Sequence, residues 1–221
     1  MDFVGGYSLF FFFFFKMEED FECLYTCSKC NTFLFIDPGW TNLGVSFITV
    51  CECQKQLRIT NKVIDLGVDK YTEAFQLVKA LEIKLANQFI DYYVDNTFKQ
   101  IDVLIIETQY EKFKLNNKLM TIIETFLYTR YNIGKQYKIA PIPLRKYYGL
   151  ENTRNHKANK LINQAYVADK ENKLIFGGYM YSEDVADTIL LFNYFVDHHG
   201  KRIKKKIADW TANLNEEKNT E

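Results

Sequence analysis

The sequence predicts an α/β protein with a mixed five-stranded sheet and helices on both faces. Three short apolar segments joined by turn-forming residues come first, which is typical of an antiparallel meander. Segments of helical periodicity then alternate with apolar, strand-like segments, which favours helices packed against a sheet. The chain has 221 residues, of which 48% are hydrophobic and 25% are charged. This length and composition indicate one globular domain with extensions, or at most two small domains, and exclude a wholly disordered chain.

The three meander strands are predicted at residues 32–37, 43–50 and 56–67. TFLFID at 32–37 ends in an acid and is followed by PGWTN, in which Pro38 and Gly39 favour a tight turn. LGVSFITV is rich in β-branched residues, and QLRITNKVIDLG alternates apolar with polar residues. These features predict short antiparallel strands.

The rest of the chain is predicted to alternate helices with strands. The order is helix 71–98, strand 100–109, helix 115–133, strand 137–143, helix 156–169 and helix 182–198. Gly134 is interpreted as the stop signal of the second of these helices, and two prolines as the end of the last strand. Because the strands at 32–37 and 100–109 are apolar almost throughout, we expect them to be central and buried on both faces.

The chain is expected to divide into an extension at 1–30, a folded domain at 31–200 and a charged tail at 201–221. The extension contains the run SLFFFFFF. Its uncharged stretch is shorter than the ~20 residues of a membrane-spanning helix, so no membrane association is expected. Either Met17 is the true start of the protein, or the run belongs to an extension without a role in function.

The five cysteines indicate reduced thiols, because their number is odd and no credible secretion signal precedes them. An intracellular location is therefore expected. A hairpin of the first two strands would bring Cys27 and Cys30 close to Cys51 and Cys53. One interpretation is a structural zinc site, since thiolates suit tetrahedral zinc; the other is a set of small apolar residues with free thiols.

Four acids stand at positions where an apolar environment is expected. Asp37 and Glu107 each end an apolar strand, and Asp184 and Asp187 lie one turn apart at the start of an apolar helix. Buried carboxylates are costly without a positive partner, and Mg²⁺ prefers such hard oxygen ligands. Alone, each acid also fits a turn, a solvent-exposed strand end or a favourable helix N-terminus. Together they predict a divalent-metal site for phosphodiester chemistry.

IDPGWTNLGVSF, IIETQ and EDVADTILL resemble motifs of the RuvC-like Holliday junction resolvases in the RNase H-like superfamily, above all those of poxvirus and iridovirus type. The resemblance spans residues 31–198 and implies an RNase H-like nuclease domain. It implies that Asp37, Glu107, Asp184 and Asp187 are catalytic ligands of two Mg²⁺ ions, with Asp37 bridging both and Mn²⁺ as a substitute. It also implies lysines between the last strand and the final helix, where Lys146 and Lys157 lie; Lys157 is expected to be catalytic.

Residues 130–160 form a local excess of positive charge in a chain whose 28 basic and 28 acidic residues cancel. This segment contains eight Lys or Arg residues and a single acid, Glu151. A solvated basic face is the plain interpretation; phosphate contacts are the functional one. The predicted DNA-binding residues are Arg145, Lys146, Arg154, His156, Lys157 and Lys160.

The expected function is metal-dependent resolution of four-way DNA junctions by paired phosphodiester hydrolysis in viral genome processing. Two symmetric cuts imply a homodimer with two-fold symmetry. The expected location is the cytoplasm or nucleus of an infected host cell, without membrane association. The alternatives are an RNase H-type nuclease acting on RNA–DNA hybrids and a non-catalytic DNA-binding protein.

Overall fold

The computed structural model describes residues 30–40, 42–52, 56–94, 99–108, 114–149, 183–206 and 209. Within these ranges the chain forms a five-stranded sheet of order β3-β2-β1-β4-β5. The strands are β1 (Cys30–Asp37), β2 (Asn42–Cys51), β3 (Gln56–Asp65), β4 (Gln100–Glu107) and β5 (Asn132–Ile139). β1 to β3 are antiparallel neighbours, whereas β4 is parallel to both β1 and β5. This sheet confirms the predicted α/β class with a mixed five-stranded sheet, three antiparallel strands followed by parallel ones.

Four α-helices accompany the sheet in the described ranges: α1 (Ala74–Ala80), α2 (Lys114–Arg130), α3 (Pro141–Tyr147) and α4 (Glu183–His198). A π-helix, Leu81–Asn87, continues α1, and a 3-10 turn follows at Ile90–Tyr92. Residues 201–206 are also helical. The predicted helix 156–169 lies outside the described residues. Each helix in these ranges is too short or too polar to cross a membrane.

Two local predictions were wrong, and both involve residues that break regular structure. Gly134 lies inside β5 rather than at a helix end. A Cβ there would come within 2.8 Å of the backbone oxygen of Asp102, which explains why this position is a glycine. The segment with Pro141 and Pro143 begins α3 instead of ending a strand. A proline is well suited to the first turn of a helix, where its missing N–H is not needed.

Side chains of the central strands alternate between two hydrophobic clusters, one on each face of the sheet. On β1, Leu34 and Ile36 point to one face, which α1, the π-helix and α2 cover. Phe33 and Phe35 point to the other, which α4 and α3 cover. The predicted helices on both faces are thereby confirmed, and the sheet presents its strand ends at a defined edge.

Candidate active site

Asp37 and Glu107 end two neighbouring parallel strands at the same edge of the sheet. Ile36 of β1 pairs with Ile106 of β4, so Asp37 and Glu107, the next and last residues of these strands, lie side by side. The apolar run before each acid is buried, whereas the acids themselves are only partly covered. Parallel pairing therefore brings together two carboxylates that are far apart in the sequence.

The turn after Asp37 is held in one conformation by close packing. A Cβ at Gly39 would overlap the backbone carbonyl oxygen of Asn42, so only glycine fits there. The indole Nε1 of Trp40 donates a hydrogen bond to Oδ1 of Asn116, at 3.1 Å, in the first turn of α2. Asp37 is thus fixed between its own strand and a turn attached to a helix.

Electrostatics show that Asp187 belongs to the same group of acids. Burial is the largest cause that raises the pKa of Glu107 well above its ordinary value, followed by the negative charges of Asp37 and Asp187. The opposite charge of Arg145 lowers this pKa, and a hydrogen bond with Asp37 raises it further. Strand ends and the start of α4 therefore place three carboxyl groups and one guanidinium near enough for their charges to affect Glu107.

The fourth predicted ligand, Asp184, lies in the first turn of α4, but its side chain is outside the described residues. In the described portion of the chain, no three His, Cys, Asp or Glu side chains are arranged closely enough to hold a metal ion. The chemistry of the donor set nevertheless fits a hard divalent cation, because all its donors are carboxylate oxygens. Their mutual repulsion at Glu107 is the effect that such a cation would relieve.

Two of the predicted DNA-binding residues lie on α3, which follows β5 directly. Both Arg145 and Lys146 are exposed, and Arg145 is close enough to Glu107 to affect its charge. The other four predicted residues, Arg154, His156, Lys157 and Lys160, lie outside the described residues. The structure thus brings Arg145, from the middle of the basic segment, near the acidic site.

Two of the four candidate zinc ligands meet as expected, because Cys30 and Cys51 are direct partners across β1 and β2. Cys51 is buried and Cys30 is partly exposed. Cys27 and Cys53 lie outside the described residues, so the zinc site stays a prediction.

Sequence reasoning missed two contacts near the acids: the bond from Trp40 to Asn116 and a buried one between Ser46 and Thr188. A signal for the second was present. Ser46 interrupts the apolar run of β2, and Thr188 interrupts that of α4. Polar residues at apolar positions are expected to find partners.

Neither a protein-family model nor a curated protein sequence matches the chain. Among solved structures, Thermus thermophilus RuvC has a TM-score of 0.46 at 13% identity, over 76% of this chain and 96% of RuvC. The fowlpox virus Holliday junction resolvase has a TM-score of 0.47 at 15% identity, over 75% of this chain and 98% of the resolvase. The yeast mitochondrial Holliday junction resolvase Ydc2 has a TM-score of 0.41 at 18% identity, over 92% and 89%. The chain is thus similar in structure to RuvC and to two Holliday junction resolvases.

Proposed function

We propose that the protein is a divalent-metal-dependent endonuclease that resolves four-way DNA junctions. The observation that carries this proposal is the partly buried position of Glu107 near Asp37 and Asp187: burial first, and then the charges of these two acids, raise the pKa of Glu107. Such a group of acids at the ends of buried strands is unfavourable for folding unless a bound cation compensates their negative charge. The motifs around these acids, and the activity named for the structures to which the chain is similar, agree with junction resolution.

The acids serve as ligands, and α3 contacts the nucleic acid. Asp37, Glu107, Asp187 and the predicted Asp184 would hold Mg²⁺, which supplies an activated water and neutralises charge on phosphate oxygens when bound. Arg145 lies close to the acids and can contact a phosphate placed there. Lys146, exposed one residue later, can bind the backbone of the same strand.

Resolution of a junction requires two cuts, so the proposal includes a homodimer with two-fold symmetry. The helix that was predicted at 115–133, now α2, is the proposed interface. It exposes Leu115 and Tyr128, which are 43% and 47% accessible. The resemblance to the resolvases, more than this exposure, supports the choice of α2. The proposed setting is viral genome processing in the cytoplasm or nucleus of an infected cell.

A panel of labelled substrates tests this function. The wild-type protein is incubated with a four-way junction, a flap, an RNA–DNA hybrid and a duplex, in Mg²⁺ and in EDTA. We expect paired symmetric nicks in the junction, in Mg²⁺ only. Preferred cutting of the hybrid would instead support an RNase H-type nuclease. Junction binding without any cutting would support a non-catalytic DNA-binding protein.

Two variants complete the test. Asp37→Asn removes one acid of the cluster and should remove cleavage. Glu73→Gln is the matched control, because Glu73 is exposed before α1 and its side chain makes no capping bond. Equal loss of activity in both variants would contradict the proposed site.

A further inference from the structure

A buried pair of hydroxyl groups joins α4 to the sheet. Oγ of Ser46 on β2 and Oγ1 of Thr188 on α4 are 2.5 Å apart, and both side chains are fully buried. The surrounding contacts are apolar: Phe35 and Ile48 on the sheet side, and Ile189 on the helix side, belong to the cluster that α4 covers. The pair is therefore a polar contact set within a hydrophobic interface.

The hydroxyl pair supplies what the apolar contacts lack, which is direction. Hydrophobic burial by itself has no directional preference, whereas a hydrogen bond requires a defined distance and angle between its partners. A buried hydroxyl that loses a hydrogen-bond partner is costly, because burial has already removed the water that it would otherwise bind. The bond between Ser46 and Thr188 therefore selects one axial and one rotational position of α4.

This position matters for the acids because Thr188 is next to Asp187 in the chain and Ser46 lies near Asp37 in the sheet. Thr188 directly follows Asp187 and comes four residues, about one helical turn, after Asp184. On the sheet side, Ser46 pairs with Phe35, and Gly44 pairs with Asp37. A shift of α4 at Thr188 would carry Asp187 away from Asp37 and Glu107.

We propose that Ser46 and Thr188 are positioning residues of the acidic site, whose hydrogen bond holds α4 so that Asp187 meets Asp37 and Glu107. This inference rests on the proposed function, since it concerns the same metal ligands. It extends that function by two residues that touch neither metal nor DNA. It makes metal affinity depend on a contact in the core.

The test compares Thr188→Val with Thr188→Ser. Valine keeps the shape of threonine but removes the hydroxyl, whereas serine keeps the hydroxyl and removes a methyl group. Mn²⁺ affinity is measured by electron paramagnetic resonance without DNA, together with the Mg²⁺ concentration for half-maximal junction cleavage. We expect Thr188→Val to weaken Mn²⁺ binding about tenfold, as loss of outer-shell partners does. Thr188→Ser should bind Mn²⁺ like the wild type even though its stability falls.

Two further variants separate positioning from stability. Ser46→Ala should reproduce the effect of Thr188→Val, and the double variant should be no worse than either, because one bond is lost in all three. Thr49→Val removes a buried hydroxyl from the opposite face of the same strand and should leave Mn²⁺ binding unchanged. If Thr188→Val does not fold, Ser46→Ala with the same measurements decides the question.

The outcomes distinguish this inference from the proposed function. Wild-type Mn²⁺ affinity in both Ser46→Ala and Thr188→Val would overturn the positioning role, whether or not junctions are cut. Weaker Mn²⁺ binding in these variants, with no junction cleavage by the wild type, would support positioning and contradict the function. A wild type that neither binds Mn²⁺ nor cleaves would overturn both.

Discussion

At the scale of single residues, the site is defined by carboxyl groups that disturb one another. Besides burial, the charges of Asp37 and Asp187 raise the pKa of Glu107, and the charge of Arg145 lowers it. The ordinary role of a charge at a strand end is solvation, and here that role is lost to burial. Substitution of a single acid can therefore change both DNA cleavage and the free energy of unfolding, and the two are measured separately.

Asp37→Asn should abolish junction cleavage and leave junction binding nearly unchanged. Asparagine keeps the size and the turn-forming capacity of aspartate but lacks the negative charge that holds a cation. Loss of one such electrostatic element commonly costs ~10²–10³ in rate. Rates and binding are measured on the same labelled junction, with circular dichroism to verify folding. A folded variant that retains more than about a tenth of the wild-type rate would contradict the assignment, since that is only ~1.4 kcal/mol.

Glu107→Gln should stabilise the metal-free protein at neutral pH. Because the pKa of Glu107 is raised in the folded state, the folded protein binds this proton more tightly than the unfolded chain. The resulting stabilisation is full below the ordinary carboxyl pKa and is lost as the pH rises through the raised pKa. Glutamine cannot ionise and does not show this loss.

Thermal unfolding in EDTA between about pH 4 and pH 8 checks this expectation. The midpoint of the wild type should fall relative to that of Glu107→Gln as the pH rises, whereas Glu73→Gln should follow the wild type. Added Mg²⁺ should raise the wild-type midpoint more than that of Glu107→Gln, because a ligand stabilises the state that binds it. If the unfolding midpoints of wild type and Glu107→Gln change with pH in parallel, the pKa of Glu107 is not raised in the folded protein.

At the scale of elements, a polar network fastens α2 to the segment that follows α1. The guanidinium of Arg130 donates to Oε1 of Glu82 at 2.5 Å and to Asp91, and the hydroxyl of Tyr131 donates to Oδ1 of Asp91 at 2.8 Å. Burial raises the pKa of Asp91, but the hydrogen bonds from Arg130 and Tyr131 outweigh it and leave the pKa below its ordinary value. The network thus stabilises the folded state at neutral pH.

Arg130→Met should lower the free energy of unfolding by about 1–3 kcal/mol, because it leaves Asp91 partly buried without its cation. Lys138→Met is the matched control. It breaks the ion pair with Glu124 at a lysine that is 47% exposed, and should cost less than about 1 kcal/mol. Urea unfolding measures both. Equal effects of the two substitutions would show that the network adds nothing beyond a surface pair.

Lys146→Ala on α3 should weaken junction binding, and the loss should be larger at low salt than at high salt. Phosphate contacts release counterions, so removal of one reduces the salt dependence of affinity. Lys157→Ala is expected to behave in the same way. Binding across a salt series is the measurement, with Lys62→Ala as control because Lys62 is exposed on β3 at the far edge of the sheet. Equal affinities of Lys146→Ala and wild type at every salt concentration would show that Lys146 on α3 does not contact the DNA.

Strands and helices with a regular apolar pattern could be predicted from the sequence. Segments in which the backbone departs from regular α-helical geometry could not. The central strands and α4 follow from their predominantly apolar runs and from Asp184 and Asp187 at a helix start. The predicted helix 71–98 is instead divided, and Phe75 and Ile83 on its predicted apolar face are 66% and 42% exposed. Ile83 lies in the π-helix, whose turn is wider than that of an α-helix, so a periodicity of 3.6 residues assigns its buried face wrongly. Phe75 lies instead in the first turn of α1.

The site shows the same division between pattern and packing. The four acids are visible in the sequence because carboxylates stand at apolar positions. The proximity of Arg145 to Glu107 depends on β5 and α3, whose glycine and prolines were misinterpreted. Contacts such as that of Ser46 with Thr188 join distant segments, and a single sequence gives no distance between them.

At the scale of the whole molecule, the proposed function requires two copies of the chain. Light scattering at micromolar concentration should give a mass near twice 26.2 kDa, with and without junction DNA. Leu115→Glu places a charge on the exposed face of α2 and should shift the mass toward the monomer. A monomeric mass for the wild type under both conditions would contradict paired cutting by a stable dimer.

The parallel pairing of β1 with β4 also determines when the site can exist during synthesis. Thr32 and Asp102, 70 residues apart, are joined by a hydrogen bond of 2.7 Å between the two strands. The meander of β1 to β3 makes local contacts and can form early, whereas pairing with β4 must close a long loop and is slow. Asp187 is added only when α4 has left the ribosome. A growing or truncated chain that carries Asp37 and Glu107 but not Asp187 therefore lacks one of the acids that the proposed function requires.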